Sequence, residues 1–186
     1  MRGLAASVVF TLAAVSLAAV SRGAVSLAAV SLAAAQSGAG AGDAKAGPYG
    51  IAQRPMPKGT DLETLLPRKV GTFTRAAIPA GTKTPVNEDL NIDYVSGSDK
   101  VNVGFSIPGN PKDAHDAIKV AKDESVATLK QQGKAKELTL AEESIGTPTS
   151  YYKVADFIAW SRGGYFFYAN ASSPAALDAF MKAFPF

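Results

Sequence analysis

The chain has 186 residues, long enough for one domain with a real core and too short for two comfortable ones. Hydrophobic residues make up 47% and charged residues 19%, a globular balance, with a formal net charge of +3. Two of the 19 basic residues, Arg2 and Arg22, lie in the Ala-rich start, so beyond it 17 basic residues face 16 acidic ones and no electrostatic footprint for nucleic acid remains. The absence of cysteine excludes disulfides, a thiol nucleophile, thiolate zinc sites and a lipidated N-terminal cysteine.

The start reads as an export leader. Arg2 supplies the positive end, Leu4 to Val20 the apolar run, and Ala33, Ala34 and Ala35 a small-residue cleavage site. The run "AVSLAAV" occurs twice, at 14–20 and 24–30, with Arg22 interrupting what would otherwise be a membrane span. A signal peptide over 1–35 is expected, with a cut after Ala24 as the alternative; the protein is then periplasmic or secreted, and a membrane is a partner only if the leader stays uncut. Residues 36–59 are rich in Gly, Ala and Pro with few large apolar side chains, and are expected to form a flexible linker.

The folded domain is expected over 60–186. Thr60 and Glu63 stand at capping-box spacing before Leu65 and Leu66, and Pro67 stops that helix. From Gly71 the period shifts to two: "GTFTRAAI" (71–78), "DLNIDYV" (89–95) and "KVNVGFSI" (100–107) read as strands, the last two as an antiparallel hairpin. Asn110 and Pro111 open a helix whose stripe of Ala114, Ile118, Ala121, Ser125 and Leu129 is made mostly of small residues. Three further strands are predicted at 136–144, 150–160 and 164–172. Ser173 and Pro174 then start a last helix with one apolar face of Leu177, Phe180, Met181 and Phe184.

This order predicts an α+β domain, a six-stranded mainly antiparallel sheet with two main helices packed on it, in βββαβββα order. The topology is similar to the PsbP-like fold. The pieces "LLPRKVGTFTR" (65–75) and "ALDAFMKAFPF" (176–186) resemble those bounding bacterial exported proteins of uncharacterised function. Those pieces are structural residues, and the resemblance implies no catalytic motif.

Chemical signatures fail mostly on geometry. Ser150 and Lys153 have Ser-x-x-Lys spacing, which needs a helix to put both on one face. His115, between Asp113 and Asp116, reads as a solvated helix face, which a distant serine can still approach. "DLNID" opens like a calcium loop but has Tyr94 where glycine is needed and Lys100 where glutamate is needed, so it reads as the wet face of a strand. No catalytic residues, metal ligands or cofactor are assigned.

Eight of the sixteen aromatic residues lie between 151 and 168, on both faces of the predicted strands. One face is core; the other needs a cover or is a surface for a ligand or partner. On the second reading the ligand-binding residues are Tyr152, Asp156, Trp160, Tyr165 and Phe167, Asp156 being placed on one strand face with Tyr152, Val154, Ile158 and Trp160. The expected function is an exported non-catalytic domain binding a partner protein or small ligand in the cell envelope. The alternative is an envelope hydrolase using dispersed carboxylates such as Asp156.

The leader yields the first prediction: intact-mass measurement on the exported protein finds a chain beginning at Gln36. A mature chain still carrying Met1 overturns it.

Overall fold

The computed structural model describes residues 47–186 apart from 86–88, 109 and 146–148; the leader and the first part of the expected linker lie outside the described residues. The domain is α+β with an open, wholly antiparallel sheet, and it has eight strands where six are expected from the sequence. The strands are β1 (Lys69–Val70), β2 (Phe73–Arg75), β3 (Leu90–Ser96), β4 (Asp99–Ser106), β5 (Glu142–Ser144), β6 (Thr149–Val154), β7 (Phe157–Arg162) and β8 (Tyr165–Ala171). Their spatial order is β1-β2-β3-β4-β8-β7-β6-β5, two four-stranded meanders joined where β4 pairs with β8. A helix follows each meander: α2 (Pro111–Gln131) after β4 and α3 (Pro174–Ala183) after β8, while the short α1 (Leu62–Leu65) precedes the sheet.

The two additional strands have separate causes. Gly71, at φ +57°, turns the chain between β1 and β2, and a strand of two residues carries no periodicity to read. The run 150–160 looks like one strand because it is rich in aromatic and β-branched residues and holds no Gly or Pro, yet Ala155 at φ +48° and Asp156 form a two-residue hairpin turn between β6 and β7. Alanine rarely adopts that conformation, and Asp156 alone, without a glycine beside it, is a weak turn signal. Within 136–144 only Glu142–Ser144 pairs as strand; Ala135–Leu140 is a 3-10 helix that leaves Leu140 exposed.

The linker expectation also changes. Residues 48–53 form a 3-10 segment whose Ile51 is fully buried, and Arg54 closes the end of α3 by donating to the carbonyls of Met181, Phe184 (2.7 Å) and Phe186 (3.4 Å). Those are C-terminal helix and post-helix carbonyls that would otherwise lack partners. Tyr49 donates from its hydroxyl to Asp178 on α3, and Arg162 reaches the carbonyls of Ala52 and Arg54. A few well-placed anchors order a segment whose composition alone reads as tether. At α1 the cap is Asp61, whose carboxylate accepts from the Thr64 N–H at 3.0 Å, in place of the expected Thr60.

Both long helices begin as their sequences dictate. Asn110 accepts from Asp113 N at 3.0 Å ahead of Pro111, and Ser173 accepts from Ala176 N at 3.1 Å ahead of Pro174. They take opposite faces of the sheet. α3 packs on β4 and β8, on the face where Val103, Phe105, Ile158, Trp160 and Phe167 point inward. α2 lies over β6, β7 and β8, against Tyr152, Val154, Ala159 and Phe166. Among the described residues no helix is long and apolar enough to cross a membrane.

The face under α3 is a ring-packed core. Phe180 meets Phe73 edge-on at 5.4 Å, Tyr94 at 4.9 Å and Phe184 at 5.4 Å, and is fully buried. Phe180→Ala is therefore expected to cost about 3–5 kcal/mol in urea unfolding, since a cavity opens where three rings converge. A loss below about 1 kcal/mol means α3 is not docked this way.

Candidate functional site

The five residues singled out in the sequence do not form one surface. Trp160 and Phe167 are both 0% exposed, stacked at 5.2 Å, with Phe184 edge-on to each; they fix the sheet to the end of α3. Tyr165 stacks on Phe105 at 6.2 Å and donates its hydroxyl to the Gly59 carbonyl at 2.8 Å. Tyr152 is on the other face, 2% exposed under α2. Asp156 lies in the β6–β7 turn and shares no strand face with the others; its carbonyl accepts from Ala171 N at 2.9 Å.

The catalytic look-alikes are placed with equal clarity. Ser150 and Lys153 point to opposite faces, Ser150 toward His115 and Lys153 over the Tyr49 ring at 5.7 Å. His115 is no solvated face: its Nδ1 lies 2.7 Å from Ser150 Oγ and 3.1 Å from Ser161 Oγ, clasping the first turns of α2 to β6 and β7. Both serines are 0% exposed, and among the described residues no carboxylate meets the other ring nitrogen as in a hydrolytic triad. Among the described residues no group of three His, Asp or Glu side chains is placed to hold a metal.

A different set of polar groups comes together on the second face, at the step where α2 stops covering the sheet. The register aligns Asn91 on β3, Gly104 on β4 and Tyr168 on β8 in one row. Gly104 has no side chain, and the Tyr168 ring lies down over it: a Cβ at 104 would stand 2.0 Å from the ring atoms. The ring thus crosses β4 and its hydroxyl donates to Asn91 Oδ1 at 2.7 Å. The charges of Asp89, just before β3, and of Glu124, on α2, both act on the phenol of this ring.

The electrostatics of the group are unbalanced. Burial raises the Asp89 carboxyl above the usual carboxylate range, tempered by the Ser106 hydroxyl. Burial also raises Glu124, and the charge of Asp89 raises it further. The Tyr168 phenol is pushed up to about 12, by burial first and then by Asp89, with Asn91 tempering the rise. Among the described residues neither carboxylate forms a salt bridge, whereas Asp93, four residues after Asp89, is met by Lys100 at 2.8 Å and Asn102 at 2.9 Å. Of these groups, Asp89 and Asn91 belong to "DLNID", read as the wet face of a strand. Tyr168 is hidden among eight aromatics, and Glu124 is brought in by helix packing alone. The signal available was Gly104, a glycine inside a strand, which marks close approach of another group.

A raised carboxyl makes a pH prediction whose sign is definite. With the folded value of Asp89 above the unfolded one, ionisation favours the unfolded chain, so the native state loses stability as pH rises through the folded value. Asp89→Asn is expected to raise the urea midpoint at neutral pH and to lose that advantage below the ordinary carboxylate range; equal midpoints for both proteins at every pH overturn it. No protein-family model, curated protein or solved structure matches the chain.

Proposed function

We propose that this is a non-catalytic binding module, exported to the cell envelope by its leader, which takes a small ligand rich in hydroxyl or amino donors at Asp89, Asn91, Tyr168 and Glu124. The observation that carries this reading is the pair of partly buried carboxyls, both raised and neither met by a cation among the described residues. Such groups weaken the unliganded fold and are satisfied when a ligand brings donors to them. The Tyr168 ring, fixed flat by Gly104 and Asn91, adds a rigid surface beside the acceptors at little entropic cost.

A hydrolase built on carboxylates needs two groups whose environments push their proton affinities apart, one to act as acid and one as base or nucleophile. Asp89 and Glu124 are shifted in the same direction for the same first reason, burial. That favours binding over hydrolysis.

Native mass spectrometry of the protein recovered from its envelope tests for a retained ligand, and calorimetric titration with amino sugars, neutral sugars and polyamines tests the donor chemistry. Binding is expected to strengthen as pH rises through the carboxyl values, and to weaken at least tenfold in both Asp89→Asn and Glu124→Gln. Binding that is indifferent to both substitutions, or turnover of a glycoside probe that each substitution abolishes, overturns the proposal.

A further inference from the structure

The second face of the sheet is open along part of its width. α2 lies over β6, β7 and β8; beyond it Asn91 and Asn170 are exposed, and Asp93 and Asn102 half-buried. The register sets two rows across this open part. One is Asn91, Gly104 and Tyr168; the other is Asp93 on β3, Asn102 on β4, Asn170 on β8 and Phe157 on β7. Asparagine and aspartate are types that strands disfavour, and a face that needs only to be wet is better served by threonine. Here four of them stand together on three neighbouring strands. They weaken the sheet at its middle, where β4 pairs with β8, and not at an edge that charge must protect.

The polar side chains of the second row are tied to one another and still offer groups outward. Asn102 Nδ2 donates to Asp93 Oδ1 at 2.9 Å, and Lys100 closes on the other oxygen of Asp93 at 2.8 Å, so the row presents hydrogen-bonding groups without an unbalanced charge. Asn102 keeps its Oδ1 as an acceptor, and Asn91, whose oxygen is held by Tyr168, keeps its NH2 as a donor. The exposed Asn170 amide meets no described residue. The row ends on Phe157, whose half-buried ring lies 6.4 Å from that of Tyr168 at an angle of 33°. Neighbouring strands stand about 4.8 Å apart, so these groups repeat at roughly the length of one sugar ring. We infer, on the footing of the binding site at Asp89 and Glu124, that this open face extends it and binds an uncharged glycan chain laid across β3, β4 and β8, its hydroxyl and amide groups met by the asparagines and its ring faces seated on Phe157 and Tyr168. A chain fits because a flat sheet surface holds a compact ligand on one side only, and affinity must be summed along a length. A phosphate polymer is opposed by Asp89, Asp93 and Glu124, and a polycation finds Asp93 already met by Lys100.

Calorimetric titration of the full mature chain decides it, with N-acetylated chito-oligosaccharides and cello-oligosaccharides, from monomer to hexamer, as the probes. In at least one series the affinity is expected to rise about tenfold or more between dimer and tetramer and then to level off, as the strands are used up. The double variant Asn102→Thr, Asn170→Thr is expected to keep or raise the urea midpoint, since threonine suits a strand better, and to remove the gain with length. A face that is merely wet predicts the same midpoint with binding unchanged, and that result overturns the inference. An affinity that does not grow with length overturns it too. Polyamine binding that Asp89→Asn abolishes, with no oligosaccharide bound, upholds the carboxyl site and overturns the glycan face, as does single-stranded DNA bound in place of the oligosaccharides. Length-dependent binding that the double variant loses, but that is indifferent to Asp89→Asn and Glu124→Gln, upholds the glycan face and overturns the role of the carboxyls.

Discussion

The antiparallel pairing of β4 with β8 is the joint on which both faces of the domain depend. Each meander alone is a four-stranded sheet with an edge to cover; the pairing merges them and sets every opposing side chain by one register. On one face it puts Phe105 beside Phe167, whose rings lie 4.9 Å apart, so the aromatic core runs unbroken from β3 to β7. On the other it puts Gly104 beside Tyr168. A slip of one residue would send Phe167 toward α2 and leave Tyr168 facing α3, exchanging core for surface along the whole strand.

What was legible in the sequence is what local chemistry determines. β3 alternates cleanly because one of its faces is wet, β4 keeps the same alternation in sequence although the Tyr168 ring covers Gly104, and Gly97 at φ +59° supplies the turn between them. α2 and α3 carry their own start signals in Asn110–Pro111 and Ser173–Pro174, and both begin there. The misreadings arise where tertiary packing overrides local preference. The 150–160 run reads as one strand because β7 is buried on both faces and β6 carries rings on both, so the polar Lys153 and Asp156 do not break it and the Ala155 turn stays hidden. The segment 47–59 looks unstructured because, apart from the buried Ile51, much of its order comes from Arg54 and Arg162, two side chains that bind carbonyls rather than build a core.

The candidate site was half visible for the same reason. "DLNID" names two of its members, and the even spacing of Asp89, Asn91 and Asp93 does place them on one face. Nothing in that motif says that Asp93 is met by Lys100 while Asp89 is not, because the difference comes from Ser106, Glu124 and Tyr168, which approach from three other elements. The aromatic excess pointed to strands that matter, but its excess rings serve two cores instead of one open surface. A sheet covered by helices on both sides of its middle strands has two faces to fill with large apolar side chains, where a one-sided sheet has one.

Arg54 ties the first turn of the described chain to the carbonyls after the last helix, and this has a kinetic meaning. The contact spans nearly the whole domain, as does that of Tyr49 with Asp178, and the β4–β8 pairing also bridges distant segments. Loops that long close slowly, so folding is expected to be governed by the late meeting of the ends and not by any local hairpin. Once the clasp has formed, neither end can fray by itself: to release α3, the chain must first withdraw a guanidinium from several carbonyls and a phenol from a carboxylate. The same contacts that delay assembly therefore make unfolding from the ends slow, a form of persistence that equilibrium stability alone does not measure.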